Sequence, residues 1–430
     1  MNRHFRFIRK TASTTLISLP KSSSVHKATI TFLATFIATM PAVSADLNWV
    51  AGTGDWENAS NWSSGFGSMV PDDDSFVFID NGGTAQVLVP GATALEINLS
   101  NGSLDILGGG QLESSAGNVI GGGAGSSGAV TVDGIGSSWQ LSGPIARLNV
   151  GSSGEGTLTI TNGGEVLNAD SSFAVTIGEN AGSNGTVTVD GVGSNFTNID
   201  SSITVGQSGT GTLNILNGGT VSNAFGSIGG SAGGEGTVTV DGAGSSWNNT
   251  KQILFLGESG SGTLNIINDG VVNVDSDSRT VLLGRYGSSS GTLNIGNGSA
   301  AGILNAAAVN SGSGTATLNF NHNESNYFFT DDSTSGGDTI RITGTTDVNF
   351  VGSGTTYLSG NNTYTGSTNI SSGKLVLYNG GTLGNNSAVT VGSGAMLESL
   401  YDLTIGSLAG NGIVDMDTGS IGYRLTVGGD

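Results

Sequence analysis

The chain has 430 residues, among them 75 glycines, 5 prolines and no cysteine, and its formal net charge at pH 7 is −20. So high a share of glycine argues against a helical protein, because glycine weakens a helix at every interior position. The lack of cysteine excludes a disulfide scaffold, a thiol nucleophile and a zinc–thiolate site within this chain.

The segment 1–45 differs from the rest of the chain in its charge. It contains six basic residues and neither an acidic residue nor a glycine, which leaves 7 basic and 33 acidic residues in 46–430. The segment 46–430 is therefore strongly acidic, and it lacks the clustered basic residues that nucleic-acid binding needs. We therefore expect no nucleic-acid partner.

Within 1–45, a basic stretch precedes a 13-residue apolar run at 28–40, and small residues follow up to Ala45. This order is typical of a secretory signal peptide, and the run is too short to cross the roughly 30 Å hydrocarbon core of a membrane. We predict that the signal peptide is cleaved between Ala45 and Asp46. A buried helix of the mature fold is the alternative interpretation.

Aromatic residues are concentrated in the segment 46–120, which holds Trp49, Trp56 and Trp62. Clustered large aromatics usually serve packing, and the first strands of a repetitive β-fold need a cover against edge-to-edge aggregation. We therefore predict an N-terminal cap and the first coils of the fold over 46–120. An exposed, carbohydrate-binding aromatic surface is the functional alternative.

Two sequence patterns alternate over 121–320. One is GTVTVDGVGSNF at 185–196, and the other is GTLNILNGGTVSN at 211–223. In each, an apolar residue alternates with threonine or asparagine, which indicates a strand, and Asp-Gly or Asn-Gly then indicates a turn. The copies begin 25 to 29 residues apart, at Gly128, Gly156, Gly185, Gly211, Gly236, Gly262 and Gly291.

Such a repeat, with three short strand-like pieces, predicts one rung of a parallel β-helix, an all-β solenoid with about 27 residues per rung. Rungs would stack about 4.8 Å apart, so that equivalent side chains form columns. A β-propeller is the alternative, because two repeats together approach the roughly 50 residues of a kelch blade. We favour the solenoid because the two half-repeats resemble each other, which blades do not require.

The Asp-Gly turns at Asp133, Asp190 and Asp241 occupy equivalent positions in every second rung. Carboxylates two rungs apart would lie roughly 10 Å from one another, too far to share a Ca²⁺ ion with ligands at about 2.3–2.6 Å. We therefore expect these aspartates to stabilise turns, and we predict neither a metal site nor a cofactor. Their alternation with Asn-Gly turns predicts that successive rungs differ at one corner.

The segment 321–354 interrupts the repeat. It contains three consecutive aromatic residues at 327–329 and, at 322, the only histidine of 46–430. We interpret the segment as an irregular insertion or a wide rung, and as the first place to look for a local binding feature. We expect His322 to be a solvated loop residue, because no nucleophile signature accompanies it.

The segment 355–430 carries the most specific motifs: NNTYTG at 361–366, GGTLG at 380–384 and IGSLAG at 405–410. These motifs closely resemble the autotransporter-associated β-strand repeat, and the chain resembles the passenger domain of autotransporters, the proteins of type V secretion. The resemblance implies a right-handed parallel β-helix that is exported and displayed on, or released from, the surface of a Gram-negative bacterium.

The resemblance also implies a C-terminal outer-membrane β-barrel, which needs alternating segments of about ten residues. The sequence does not show that pattern, and we expect no membrane insertion by this part of the chain. A truncated gene product or a partial sequence is the simple interpretation, and secretion without a barrel is the other.

Paired carboxylates could hydrolyse glycosides at separations of about 5–9.5 Å. A catalytic cleft on a β-helix usually also needs cations to bind its substrate, and only seven remain in 46–430. We therefore predict no catalytic residue. The carboxylate groups considered are Asp72 with Asp73 and Asp74, Asp275 with Asp277, Asp331 with Asp332, and Asp415 with Asp417.

Together these observations predict a non-enzymatic protein, an exported autotransporter-like passenger whose rigid β-helical stalk serves cell-surface adhesion or aggregation. The expected partners are a surface carbohydrate, a surface protein or sister cells. A secreted β-helix enzyme that degrades polysaccharide and a pure structural spacer are the alternatives.

Overall fold

The computed structural model describes residues 45–430 except 66, 144, 169–173, 252, 275–279, 331–335, 385, 417–421 and 429–430. Positions 1–44 of the expected signal peptide lie outside the described residues, and its cleavage between Ala45 and Asp46 stays a prediction. In the structure, the Ala45 carbonyl accepts a hydrogen bond from the Phe76 amide at 2.8 Å, a bond that cleavage after Ala45 would remove.

The described residues form rows of short strands, with one strand of a row in each rung. The first row is a fifteen-strand parallel sheet. Its strands are Thr53–Asp55, Thr84–Val87, Asn101–Leu107, Ser127–Asp133, Glu155–Thr161, Asn184–Asp190, Thr210–Leu216, Glu235–Asp241, Ser261–Ile267, Ser290–Ile295, Thr315–Phe320, Asp347–Phe350, Thr368–Ile370, Ala388–Val391 and Ser407–Gly410.

The second row follows the first around each rung. Its strands are Pro90–Ala94, Gln111–Ser114, Ser138–Leu141, Glu165–Asn168, Asn195–Val205, Thr220–Ile228, Ser246–Asn249, Val271–Val274 and Ile303–Asn305. A separate five-strand sheet comes later in the chain and consists of Tyr327–Phe328, Thr355–Leu358, Lys374–Leu377, Met396–Ser399 and Ile413–Asp415.

The third row joins the second through two long strands, Asn195–Val205 and Thr220–Ile228, which belong to both. Its other strands are Asp46–Trp49, Phe76–Ile79, Glu96–Leu99, Gly117–Ile120, Arg147–Val150, Val175–Ile177, Leu254–Leu256, Thr280–Leu283, Ala308–Ser311 and Arg341–Ile342. The remaining elements are the 3₁₀ helix Ala59–Asn61, the strand Trp62–Ser63, and the paired strands Leu403–Ile405 and Leu425–Val427.

The rows confirm the predicted parallel β-solenoid and show that the propeller alternative is wrong. Among the described strands, Asp46–Trp49 and Trp62–Ser63 form the antiparallel pair, and the other pairs run parallel. The seven repeat-starting glycines lie in register in the first row, where each of the first six pairs with the glycine of the next rung. The repeat period of the sequence is therefore the rung of the fold.

Gly156 shows why glycine begins each repeat. A Cβ atom there would lie 2.1 Å from the amide nitrogen of Gly151 and 2.6 Å from the Ile120 carbonyl oxygen. Gly151, at a φ of +70°, directly follows the third-row strand Arg147–Val150, the last strand before the rung that Gly156 begins. The two glycines thus form one tight corner that admits no side chain.

The core lies between the rows and consists of stacked aliphatic side chains. In the second row, one buried column alternates large and small residues, because aromatic rungs and valine rungs follow each other. The column reads Trp139, Val166, Phe196, Val221, Trp247 and Val272, each with no exposed surface. The unit that repeats in the core is therefore two rungs.

The turns that end the first-row strands alternate in the same way. Asn162, Asn217 and Asn268 each adopt a φ near +50°, which asparagine tolerates better than most residues. The amide of Asn217 donates a 2.7 Å hydrogen bond to Asp190 of the preceding rung, and the other two asparagines make the equivalent bond to their own preceding aspartates. The expected difference between successive rungs at one corner is this Asn–Asp pair.

The three tryptophans near the beginning of the described chain are fully packed. Trp62 lies edge-on between Trp49 and Trp56, with ring centroids 4.8 Å from each. All three are at most 1% exposed. They are core residues, so the alternative of an exposed carbohydrate-binding surface built on them is wrong.

Candidate functional site

The outer face of the first row carries a column of stacked asparagines, which we call the asparagine column. Each amide nitrogen donates to the Oδ1 atom of the preceding member, at distances of 2.7 to 3.0 Å. The column exists because the outward position of this strand is asparagine in five successive rungs. Its members are Asn265, Asn294, Asn319, Asn349 and Asn369.

A cleft of about 370 Å³, which we call the asparagine cleft, lies beside the first three members of this column. The residues that follow two strands of the first row complete it, together with one exposed apolar side chain from the next rung. The lining residues are Asn265, Asn294, Gly296, Asn297, Asn319, Asn321 and Val351.

One wall of this cleft is the loop 296–302. Both Gly296 and Gly302 donate their amide N–H groups to the Ile266 carbonyl, at 2.9 and 3.1 Å, so the loop leaves and rejoins the stack at one point. Gly298 also donates to the Asn321 carbonyl at 2.7 Å. Hydrogen bonds therefore hold this loop to the carbonyl of Ile266 on one side and to the carbonyl of Asn321 on the other.

A second outward feature is the aromatic row formed by Phe328, Tyr357 and Tyr378 on the five-strand sheet. The Phe328 and Tyr357 rings stack at 4.5 Å, and Tyr378 meets both edge-on at 5.3 and 5.7 Å. The three rings pack against one another through their faces and edges, so the first role of the row is packing.

The segment 321–354 builds one rung with strands in the five-strand sheet, the third row and the first row. Tyr327 and Phe329 point inward and are buried, whereas Phe328 faces outward. Asp331 and Asp332 lie outside the described residues. The outward part of the segment therefore contributes Phe328 to the aromatic row, and Asn321 and Val351 to the asparagine cleft.

The expectation of a solvated His322 is wrong, because the side chain is 2% exposed. Its Nε2 atom lies 2.9 Å from the Thr356 hydroxyl, and its ring packs 4.9 Å from the Tyr327 ring. The other ring nitrogen, Nδ1, has no hydrogen-bond partner among the described residues. Burial disfavours the charged imidazolium and lowers the pKa of His322 to about 4.

Among the described aspartates that were considered for chemistry, Asp72, Asp73 and Asp74 lie in one turn, and Asp415 ends the strand Ile413–Asp415. Asp72 accepts hydrogen bonds from the Ser75 hydroxyl at 2.5 Å and the Asp74 amide at 3.3 Å, which is a local turn. Asp275, Asp277 and Asp417 lie outside the described residues. Within the described part of the chain, no three Asp, Glu, His or Cys side chains lie close enough together to hold a metal ion.

Sequence reasoning did not find the asparagine column, although its signal is visible. The fourth residue of the motifs beginning at Gly262 and Gly291 is asparagine in two consecutive rungs, whereas the one earlier asparagine at this position, Asn214, has threonine in the rungs on either side. Once the glycines are in register, these asparagines must stack on one face. The cleft, in contrast, depends on the path of the loop 296–302, which no repeat specifies.

A protein family and several known proteins are similar to parts of this chain. Residues 351–377 match the passenger-associated-transport-repeat family. The hyper-glycosylated TibA fragment, a solved structure, is 17% identical, with a TM-score of 0.28 over 79% of this chain and 94% of that one. Among the described residues, no helix has the length and apolar character that crossing a membrane requires.

Three curated relatives share longer stretches of sequence. The uncharacterized lipoprotein YdeK of Escherichia coli is 33% identical over 237 residues, which is 50% of this chain and 17% of YdeK. The uncharacterized protein YuaQ of the same species is 30% identical over 288 residues, 63% of this chain and 19% of YuaQ.

The third relative is the adhesin BmaC autotransporter of Brucella suis, which is 28% identical over 301 residues, 52% of this chain and 8% of BmaC. The chain thus spans less than a fifth of the length of these relatives. The resemblance to autotransporter passengers is confirmed: the chain is a parallel β-solenoid similar to autotransporter passenger proteins, and it carries a passenger-associated-transport repeat.

Proposed function

We propose that the chain is the exported, stalk-forming part of a surface adhesin that mediates attachment or aggregation of cells. The observation that carries this proposal is the in-register parallel stack, which grows along one axis and repeats its outer surface at every rung. Fifteen strands of the first row, spaced by about 4.8 Å, span roughly 70 Å. A stack of that length holds binding surfaces well away from its point of attachment.

The outer surface supports an adhesive function. Its columns present threonine, serine and asparagine side chains, which offer hydrogen bonds without strong charge. Repetition multiplies weak contacts into stronger overall attachment, provided that the partner also repeats. The similarity to the adhesin BmaC autotransporter supports the same proposal.

The described groups give catalysis little support. A general base must lie within hydrogen-bond reach of the proton that it removes from a bound substrate, so a substrate must be able to approach it. His322 is buried, and burial lowers its pKa to about 4. We therefore propose a binding protein rather than an enzyme.

We also propose that the chain works at the surface of a Gram-negative cell. The relatives named above come from Escherichia coli and Brucella suis, and one of them is a lipoprotein. The predicted signal peptide over 1–45 fits export, and its removal would leave the described solenoid.

The test is an in-frame chromosomal deletion of the codons for 46–430 that leaves the flanking sequence intact. We expect the deletion strain to lose attachment to abiotic and host-cell surfaces, or autoaggregation, and complementation with the full chain to restore it. Unchanged attachment and aggregation would count against the proposal. Turnover of a polysaccharide by the purified chain would instead favour the enzyme alternative.

A further inference from the structure

The asparagine cleft has the volume of a small-molecule site, and its lining is mainly polar. Its volume of about 370 Å³ falls within the range of about 300–1,000 Å³ that is typical of small-molecule sites. Five of its seven lining residues are asparagines, one is glycine and one is Val351. Among the residues that the structure describes, no charged side chain lines it.

The column amides keep free hydrogen-bonding capacity toward the cleft. Asn294 donates one N–H to Asn265 and accepts one bond at Oδ1 from Asn319, at 2.8 and 2.7 Å. A side-chain amide has two N–H donors and two acceptor lone pairs, so one of each remains on Asn294. The half-exposed amides of Asn265 and Asn319 are used in the same way.

The two cleft asparagines outside the column, Asn297 and Asn321, which we call the wall asparagines, make fewer internal hydrogen bonds than the column amides. Asn297 is exposed, and its Oδ1 atom accepts bonds from Ser299, which leaves both of its N–H donors without a partner among the described residues. The side chain of Asn321 makes no hydrogen bond within the described part of the chain. The backbone of Asn321 is hydrogen-bonded through both its N–H and its C=O, and Asn297 lies between Gly296 and Gly298, whose amides are hydrogen-bonded. A ligand would therefore gain bonds to both side chains without breaking these backbone bonds.

This donor and acceptor set selects a neutral, polyhydroxylated ligand. Hydroxyl groups both donate and accept, as amides do, whereas a sulfated or uronic-acid ligand would find no cation in the cleft and a strongly acidic chain around it. Val351 is 43% exposed and offers a C–H surface to the apolar face of a sugar ring.

The repeat along the stack adds a preference for a linear chain of sugars. Column amides recur at the rung spacing of about 4.8 Å, which is comparable to the length of one sugar unit in an extended oligosaccharide. Three column members line the cleft, so consecutive sugars would meet equivalent amides.

We propose that the asparagine cleft binds a short stretch of a neutral, linear oligosaccharide lying along the solenoid axis. The inference rests on the proposed adhesive function and gives it a site and a ligand class. Asn297 and Asn321 would contribute the contacts that determine affinity, and the three column amides that line the cleft would set the register of the sugar chain.

The test is isothermal titration of the purified full chain with five probes. Three are neutral, cellohexaose, maltohexaose and chitohexaose, and two are anionic, a heparin-derived hexasaccharide and a galacturonic-acid hexamer. The variant is the double substitution Asn297→Ala and Asn321→Ala, and the matched control is Asn369→Ala, a column member outside the cleft.

We expect at least one neutral hexasaccharide to bind the wild-type chain and the Asn369→Ala control alike. Loss of the two wall amides should weaken its binding by at least about tenfold. The proposal is overturned if no neutral probe binds at millimolar concentration, if the double variant binds as well as the wild type, or if an anionic probe binds more tightly than every neutral one.

Cells that display the double variant separate this proposal from the adhesive function. Normal attachment by those cells, with sugar binding lost in the purified variant, would leave the cleft as a sugar site and remove it as the site of attachment. Lost attachment in the deletion strain without any sugar binding would support the adhesive function and contradict the cleft.

Discussion

At the scale of single residues, His322 determines how the fold responds to acid. Its Nδ1 atom is buried without a partner, so the folded chain holds it neutral. Burial lowers its pKa from 6.5 to about 4. Between those two values the unfolded chain binds a proton that the folded chain does not, so stability falls as the pH falls through this window.

We therefore expect the wild-type chain to lose up to about 3 kcal/mol more unfolding free energy than His322→Gln when the pH is lowered from 7 to 4. Denaturant unfolding of both proteins at several pH values measures this difference. Burial raises the pKa of Glu96 and of Asp105, which shifts stability in the opposite direction, but both proteins share these groups and the comparison cancels them. Equal pH slopes in the two proteins would contradict the prediction.

Asn217 combines a strained backbone with a hydrogen bond, and two substitutions separate these contributions. Its φ is +51°, and its amide donates to Asp190 at 2.7 Å. Alanine at this position would lose the hydrogen bond and strain the backbone, so we expect the free energy of unfolding to fall by about 1–2 kcal/mol. Glycine would lose the hydrogen bond alone. Chemical unfolding of Asn217→Ala and Asn217→Gly checks this order. A glycine variant no more stable than the alanine variant would show that the left-handed conformation is unimportant.

At the scale of elements, the corner formed by Gly151 and Gly156 limits which side chains a rung can carry. A Cβ atom on Gly156 would meet backbone atoms at 2.1 and 2.6 Å, which cannot move without breaking the ladder. We expect Gly156→Ala to lose at least about 2 kcal/mol of unfolding free energy. Gly287→Ala is the matched control, because a Cβ there meets its nearest neighbour at 4.0 Å. Equal unfolding midpoints for the two variants would be evidence against the tight corner.

At this scale, the sequence predicts the strands of the regular repeats but not the packing of the irregular segment 321–354. The strands of the first row and their register follow from the spacing of Gly128 to Gly291, because side chains in a parallel stack must repeat at the rung period. The burial of His322 and Phe329 does not follow, since they lie in the segment 321–354, where the repeat fails and tertiary packing decides which side chains face inward.

The candidate site likewise has one part that the repeat predicts and another part that it does not. Asn265 and Asn294 occupy a motif position, so their stacking follows from the register alone. The cleft also requires Asn297 and Asn321, which belong to turns between strands, and the path of a turn depends on hydrogen bonds to the rungs on either side. The repeat therefore predicts the columns of equivalent side chains, but it does not predict the irregular turns that complete the cleft.

At the scale of the whole solenoid, the structural unit is two rungs, and this has a consequence for deletions. Asn184, Thr210 and Glu235 occupy the same register position in successive rungs. Removal of 184–234 therefore deletes two complete rungs, and removal of 184–209 deletes one. Both deletions join chain ends that the fold brings to equivalent places.

The two deletions differ in what they bring together in the core. After the two-rung deletion, Val166 lies against Trp247, and the large–small alternation continues. After the one-rung deletion, Val166 lies against Val221, where Phe196 was, and the core is underfilled. The one-rung deletion also places Asn162 below Asn217 in place of Asp190, so the Asn217 amide loses its acceptor.

We therefore expect the shorter protein to be the more stable of the two. The two-rung deletion should fold, with a stack shorter by about 10 Å in small-angle scattering, because each rung contacts mainly its neighbours. The one-rung deletion should be less stable than the two-rung deletion by about 2–4 kcal/mol in denaturant unfolding, the range found when a large buried side chain is lost. Stability that simply increased with the number of rungs would show instead that single rungs are interchangeable, and the alternation of Asp-Gly and Asn-Gly turns would then need another explanation.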